Sequence, residues 1–417
     1  MGKICILGLG YIGLPTACLF ATHGYQVVGV DKDEAKVETI KQGILPFDEA
    51  GLKEIFQNAI ALNALTVKNK PENADVFLIA VPTPLNKRGK MAELSYVQEA
   101  ARDIRDYLKK GNIVILESTV PVGVSDKILL PILEESGLKG GTDFYLAYCS
   151  ERAMPGKTIY EMIHNHRIIG GINQKSTQMV KSLYSSFVEG EIHLVDIRTA
   201  EMVKLMENTC RDINIALANE FAQIAEDCGV NIWQAIELAN KHPRVSILKP
   251  GPGIGGHCIP IDPWFLAKSS ATSRIISLAR KINDAMPRHI LQMAKSMLNK
   301  EDRATITLFG VAYKGDVDDT RETPSFKLMR LIQRQGYEVK VYDPIVTRFK
   351  GKISNLVDAV RDTDCIVLVT DHSQFKDIDP QQIAKLVRDK NLIDTRNILD
   401  HQRWESAGFK VRVLGKG

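Results

Sequence analysis

The chain has 417 residues, 44% hydrophobic and 25% charged, with a formal net charge of +4. This is a soluble globular composition in a chain too long for one typical domain, so two or three domains are expected. Lysine and arginine are scattered without a polybasic run, which argues against nucleic acid as the main partner, and no apolar stretch is long enough to span a bilayer.

In chain order, "ICILGLG", "QVVGVD", "LTVK", "DVFLIAVPT", "NIVILEST" and "FYLAYCSE" read as strands. Such continuous apolar runs suit strands buried on both faces of a parallel sheet. Between them "PTACLFATHG" and "LSYVQEAARDIRDYLKKG" read as helices that stop at glycine. The alternation predicts a doubly wound α/β domain over residues 1–195. "RTAEMVKLMENTCRDINIALANEFAQIAEDCG" then predicts a long central helix, followed by the helix "NIWQAIELANKH" and the loop "LKPGPGIGGHCIPIDP", placing a central helical region at 196–298. From 299 to 417 the alternation resumes. "ATITLFGVAYK", "YEVKVYDP", "DCIVLVTD" and "KNLIDTRN" read as strands and "SFKLMRLIQRQG" as a helix, with "FGVAYKGD" echoing the first glycine turn. The expected fold class is α/β, two Rossmann-like domains joined by a long helix.

Seven cysteines, an odd number, show neither C-x-x-C spacing nor a cysteine–histidine zinc pattern. Most sit in apolar runs, where a thiol behaves as a small hydrophobe, so a reducing compartment and no metal site are expected. Lys3 leads directly into a strand without a cleavage site, the myristoylation pattern fails at Ile6, and no prenylation box closes the chain. A cytoplasmic location is expected.

"GLGYIG" is G-x-G-x-x-G between a predicted strand and a predicted helix, and Asp31 ends the next strand. Glycines there permit a tight turn and close approach of a pyrophosphate, and the acid suits both ribose hydroxyls of NAD. Gly8, Gly10, Tyr11, Ile12, Gly13 and Asp31 are therefore assigned to the cofactor. Thr83 in "AVPTP" and Ser118 and Thr119 in "ESTVPVG" follow strands, where loops face the ligand crevice; they either meet the cofactor or a water, or simply end strands. Glu151 in "SERAMPGK" is either a base or a solvated charge. Lys204 and Asn208 share a helix face, as oxyanion donors or as a polar stripe. Cys258, between glycines and proline in "GGHCIPIDP", is the candidate nucleophile, with Asp262 four residues on. Gly253, Gly255 and Gly256 would let the backbone wrap a ligand.

These residues fall in seven ordered motifs: "GLGYIGLP", "AVPTP", "ESTVPVG", "SERAMPGK", "TAEMVKLMENT", "PGPGIGGHCIPIDP" and "GVAYKGDVDDTRE". In that order the chain resembles the UDP-glucose/GDP-mannose 6-dehydrogenases along essentially its whole length. The resemblance implies an NAD-binding N-terminal domain, a helical dimerisation region and a C-terminal domain that holds the UDP-sugar. It implies oxidation of C6 twice, from alcohol to acid, with a homodimer as the working form. Cys258 would form a thiohemiacetal and then a thioester. Lys204 and Asn208 would stabilise the oxyanion, Asp262 and Thr119 would hold water, and Glu151 would assist hydrolysis. Arg244 would reach the substrate, and Lys314, Arg321 and Arg396 would bring positive charge to the diphosphates, Arg321 also counting toward the cofactor. Arg152 and Gly255 complete the implied substrate contacts.

Within the family, "HNHRIIGG", "RDINIALANE" and "NKHPRVSI" look like the members that oxidise UDP-N-acetyl-D-mannosamine for a surface polysaccharide. Two departures, Ser150 where proline is commoner and "IPIDP" after the cysteine, keep UDP-N-acetyl-D-glucosamine open as the substrate, while "HPRV" and "MPGK" favour the manno sugar. Two other readings are a two-electron dehydrogenase of the hydroxyacid type and a dinucleotide-sensing scaffold. The C-terminal α/β region with Cys258 counts against the first, and the set Glu151, Lys204, Asn208, Cys258 and Asp262 counts against the second.

Overall fold

The computed structural model describes residues 2–86, 89–299, 303–347, 349 and 354–417. The chain forms two compact units, Met1–Glu207 with Lys268–Ser270, and Asn208–Ala267 with Ala271–Gly417.

The N-terminal unit is built on an 8-stranded sheet of order β3-β2-β1-β4-β5-β6-β7-β8. Its strands are β1 (Lys3–Leu7), β2 (Gln26–Val30), β3 (Leu65–Lys68), β4 (Val76–Ile79), β5 (Ile113–Leu116), β6 (Tyr145–Tyr148), β7 (Arg167–Gly171) and β8 (Ile192–Asp196). The first six are parallel, in the doubly wound order 3-2-1-4-5-6. The apolar runs work on both faces. Ile4, Ile6, Leu78 and Ile115 join one core with the helix Gly13–Thr22, while Cys5, Leu7, Phe77, Ile79, Val114 and Leu116 join the core on the other side. Each fully buried side chain of this kind contributes about 1.5–3 kcal/mol. The chain leaves β1 outward through β2 and β3 and returns to β4 on the other side of β1. That reversal opens a crevice at the carboxyl ends of β1 and β4, where the glycine turn sits.

The C-terminal unit has a 5-stranded parallel sheet of order β10-β9-β11-β12-β13, with β9 (Thr305–Phe309), β10 (Glu338–Tyr342), β11 (Cys365–Leu368), β12 (Asn391–Asp394) and β13 (Lys410–Val413). Ile306, Leu308, Val367 and Ile393 pack with Ala218, Ala222, Met286 and Ile290 on one face, and Ile366, Leu368 and Leu392 with Phe375 and Trp404 on the other. The two units share one device. Gly8 and Gly310 both take φ of +95° after the first strand of their sheets. Leu9 N–H then donates to Asp31 at 2.9 Å and Val311 N–H to Asp343 at 2.7 Å, each acid ending the neighbouring strand. The expected echo between the two glycine turns is thus present in the backbone.

All ten expected strands and the long helix, Ile197–Cys228, are present, and the α/β class with two Rossmann-like sheets holds. Three strands go beyond the sequence reading: β7, antiparallel to β6, then β8 and β13. The helix expected to run to Gly111 ends at Arg105, where Tyr107 and Leu108 turn back onto carbonyls three residues earlier. A further helix, Arg274–Met297, runs through Pro287. Proline leaves the Asn283 carbonyl without its helical donor. Gly253 packs there, since a Cβ at 253 would stand 3.3 Å from that oxygen.

Candidate active site

The glycine turn separates two kinds of glycine. A Cβ at Gly8 would lie 2.5 Å from the Ala80 carbonyl oxygen, and one at Gly13 would lie 1.8 Å from the Gly8 oxygen, so packing alone demands both. Among the described residues nothing lies within 4 Å of a Cβ at Gly10. The turn therefore leaves open space at the N-terminus of the helix Gly13–Thr22, where amide groups and the helix dipole favour a phosphate. Ile12 precedes that helix, and Tyr11 stacks on Phe47 with centroids 4.3 Å apart. Asp31 accepts from Leu9 N–H, from Asp33 N–H at 3.0 Å and from Lys36 Nζ at 2.8 Å. Burial pushes its carboxyl up, but Lys36 and the two amides outweigh burial and hold it below the usual range. These residues fit a dinucleotide.

Two more loops leave the carboxyl ends of parallel strands beside this turn. Thr83, after β4, donates to the Thr119 carbonyl at 2.7 Å, and Ser118, after β5, donates to the Val81 carbonyl at 2.7 Å. Ser118 thus serves as a loop tie. Glu201, fully buried on the long helix, accepts from the amides of Gly123 at 2.5 Å and Ser125 at 2.9 Å and anchors the end of "ESTVPVG".

Glu151 follows β6 and is 8% exposed. Among the described residues its Oε1 is buried without a hydrogen-bond partner. Burial raises its carboxyl pKa, the nearby Lys204 charge opposing. Lys204, also buried, donates from Nζ to the Glu151 carbonyl oxygen at 2.5 Å. Arg152 turns from the pair: it donates to the His166 carbonyl at 2.7 Å and pairs with Glu207 at 2.7 Å. The loop is closed from below by Glu49, whose carboxylate accepts from the amides of Gly156 and Thr158 at 3.0 Å. Neither Glu49 nor Glu201 carries a local sequence signal, because each acts on a segment distant along the chain.

In the C-terminal unit the cysteine loop is shaped by its glycines. A Cβ at Gly255 would lie 2.7 Å from Tyr313 Cβ, and Gly256 takes φ of +90° while its N–H donates to the Arg321 carbonyl at 2.9 Å. Cys258 is exposed. The amides of Ile261 and Asp262 turn back onto the Cys258 carbonyl at 3.0 and 2.8 Å, and Asp262 starts the helix Asp262–Ser269. Asp262 is 3% exposed and accepts from Asn208 Nδ2 at 2.6 Å. Structure thus joins Asn208, Cys258 and Asp262 in one unit and Thr83, Thr119, Glu151 and Lys204 in the other, with Lys204 and Asn208 on successive turns of one helix.

Of the expected cationic residues, Arg321 forks onto Asp319 through Nε and Nη2, and Lys314 lies half-buried in the loop after β9. Arg396, after β12, donates to the Val369 carbonyl at 2.8 Å and lies so close to Gly251 that a Cβ there would be 2.8 Å from its Nη1. Arg244 is exposed on a loop pinned by Asn214, which donates to the Ser246 carbonyl at 2.7 Å. A cleft of about 1010 Å³ beside this loop is lined by Arg211, Trp233, Lys241, Lys249 and Asn397, and includes none of the expected site residues.

A doubly wound sheet whose glycine turn leaves room for a pyrophosphate, with a second Rossmann-like sheet and a thiol presented on a glycine-rich turn, defines an NAD-dependent dehydrogenase. The chain belongs to the UDP-glucose/GDP-mannose dehydrogenase family. Family models match the NAD binding domain at residues 2–188, the central domain at 198–285 and the UDP binding domain at 307–401. NAD is therefore its cofactor and a UDP-sugar its substrate class, which sets aside the scaffold reading. The chain is 48% identical, over 100% of its own length and 97% of the relative's, to the UDP-N-acetyl-D-mannosamine dehydrogenase of Methanococcus vannielii. It is similar to the solved UDP-D-ManNAc dehydrogenase of Pyrococcus horikoshii, with 43% identity, TM-score 0.94 and coverage of 100% and 99% of the two chains. The UDP-N-acetyl-mannosamine dehydrogenase Cap5O of Staphylococcus aureus superposes with TM-score 0.90 at 40% identity, over 99% of each chain. No helix among the described residues is long and apolar enough to cross a membrane.

Proposed function

We propose that the chain oxidises UDP-N-acetyl-D-mannosamine at C6 to UDP-N-acetyl-D-mannosaminuronate, in the cytoplasm, for a surface polysaccharide. The names of the relatives support the sugar. The observation that carries the chemistry is the Cys258 turn: an exposed thiol whose carbonyl receives the Asp262 amide, with Asp262 locked to Asn208.

NAD, when bound, accepts a hydride at each of two oxidations. In the first, a water held by Asp262 and Thr119 takes the hydroxyl proton as the alcohol becomes an aldehyde. That proton passes on to solvent, and Cys258 Sγ, its own proton given to the same water, then adds to the aldehyde carbon. Lys204 and Asn208 donate to the oxyanion, a charge that develops only during reaction. Loss of the second hydride from the thiohemiacetal leaves a thioester. Glu151 takes a proton from water as that water adds to the thioester carbonyl and returns it to the sulfur as the C–S bond breaks, releasing the acid and the thiol. The raised pKa of Glu151 makes it a stronger base than a solvated carboxylate.

Labour divides along the chain: residues 1–195 hold NAD, 196–298 form the dimer and carry the thiol, and 299–417 hold the UDP-sugar, with Lys314, Arg321 and Arg396 facing its diphosphate and Gly255 letting the backbone approach. Arg321 also serves the cofactor. Arg152, engaged by Glu207, orders the substrate loop, and Arg244 reaches the sugar across the dimer interface.

The test is stoichiometry. Purified protein with NAD and UDP-N-acetyl-D-mannosamine is expected to yield two NADH per sugar, and Cys258→Ala to lose acid formation. One NADH per sugar, or a variant that forms acid at the parental rate, would remove Cys258 from this role. Turnover of UDP-N-acetyl-D-glucosamine alone would keep the mechanism and replace the sugar, the reading that "IPIDP" favours.

A further inference from the structure

The segments around residues 163–167 and 189–193 lie side by side at the outer edge of the 8-stranded sheet. β7 and β8 pair in parallel, with Arg167 opposite Ile192 and Ile168 opposite His193. Their entry is held by backbone bonds, Arg167 N–H to the Glu191 carbonyl at 2.9 Å and Glu189 N–H to the Ile163 carbonyl at 2.7 Å. Gly190 makes the approach possible, since a Cβ there would stand 2.4 Å from the Asn165 oxygen. The pleat sends Glu191 and His193 to one face, and the register sets His166 beside Glu191 on that same face. His166 Nδ1 lies 3.8 Å from Glu191 Oε2, and His193 Nε2 lies 3.6 Å from the same oxygen. The two imidazoles stack at 5.6 Å and 19°, and one ligand atom of each of the three residues lies within 4.8 Å of the others.

We propose that His166, Glu191 and His193 form a binding site for one divalent transition-metal ion of the zinc class. Two imidazole nitrogens and a carboxylate oxygen are a donor set for zinc, nickel and copper, whereas magnesium and calcium prefer all-oxygen shells. Tetrahedral zinc with bonds of about 2.0–2.1 Å sets its ligand atoms roughly 3.3 Å apart. The two measured pairs are within a few tenths of an ångström of that spacing, and rotation of exposed side chains on a fixed backbone closes the third. All three side chains are exposed, so the fourth position stays open to water. Sequence spacing hides the site because one histidine precedes β7 while the other lies in β8, 27 residues on. It also adjoins the reaction loop: the His166 carbonyl is the acceptor of Arg152, the residue after Glu151.

The experiment uses full-length, untagged Cys258→Ser protein, so that the reactive thiol does not compete for metal. After chelator treatment and dialysis, it is titrated with Zn²⁺ by calorimetry and with Co²⁺ by absorption, with Mg²⁺ as the control. The expected result is one zinc per chain, visible cobalt bands without a thiolate charge-transfer band, and no magnesium binding. His193→Gln and His166→Gln should each weaken zinc at least tenfold while leaving the unfolding temperature unchanged. A parent that binds less than one equivalent, a thiolate band, or variants that bind as tightly as the parent would overturn the site.

Discussion

Asn208 Nδ2 stands 2.6 Å from Asp262 Oδ2, and the Asp262 amide closes onto the Cys258 carbonyl. This side-chain bond and the backbone bonds of Ile261 and Asp262 onto Cys258 thus tie the turn that presents the thiol. A buried carboxylate that loses a donor costs about 1–3 kcal/mol. Asn208→Ala is expected to destabilise by that amount and to lower kcat at least tenfold through the loosened turn and the lost oxyanion donor. Denaturant unfolding and initial rates on Asn208→Ala, Asp262→Ala and the double variant measure the coupling, expected at about 0.5–3 kcal/mol. Losses that simply add would mean the two residues act independently.

Gly13 and Gly10 of the first turn should respond differently to alanine. At Gly13 a Cβ would meet backbone at 1.8 Å, and the turn must open to admit it. Gly13→Ala is expected to cost more than about 3 kcal/mol, in the range of severe backbone strain. Gly10→Ala meets open space among the described residues, so it should melt like the parent yet bind NAD at least tenfold more weakly. Thermal unfolding and NAD titration separate the two. A Gly10→Ala protein with parental NAD affinity would place the pyrophosphate elsewhere.

The contrast between these glycines also marks what the amino-acid sequence makes legible. Buried parallel strands such as "VFLI" and "IVIL" announce themselves because both faces need apolar residues. β8 and β13 do not, because at the sheet edge their apolar residues are interrupted by polar ones, His193 and Asp196 in β8 and Lys410 and Arg412 in β13, and β7 hides in a short run ending in Gly170 and Gly171. Those glycines are demanded by close approach to Ala200 and Thr177, residues outside the strand itself. The helix Arg274–Met297 is masked by Pro287, beside which Gly253 of another loop packs against the Asn283 carbonyl. At the site, Cys258 stands out through its glycine–proline setting. Glu49, Glu201 and the engagement of Arg152 by Glu207 are tertiary facts with no local signature.

Cys210, Leu217 and Ile224 fall at seven-residue intervals on the long helix, and all three are exposed, as is Leu238 on the helix Ile232–Ala239. A stripe at that spacing suits a packed helix partner, and burying each aliphatic side chain is worth about 1.5–3 kcal/mol. Under the proposed dimer, Ile224→Glu is expected to halve the mass seen by light scattering and to abolish turnover, because Arg244 acts across the interface. A wild-type monomer, or a variant that remains dimeric, would remove this face from the interface.

Glu117, at the end of β5, is buried among Thr16 Oγ1 at 3.1 Å, Tyr184 Oη at 3.3 Å and Arg167 Nη1 at 3.4 Å. Burial is the largest influence and pushes its carboxyl up to about 7, against the pull of Arg167 and Thr16, from an ordinary value of 4.5. Between those pH values the folded chain holds a proton that the unfolded chain has released, so this group's contribution to stability falls as pH rises from 4.5 to about 7 and is level above. Glu117→Gln has no proton to lose. The stability of the variant minus that of the parent is therefore expected to climb across that window and then flatten, which urea unfolding at half-unit steps between about pH 4.5 and 8.5 would resolve. A difference that stays flat or falls would mean that Glu117 remains ionised and that its pairing with Arg167, rather than burial, governs the group.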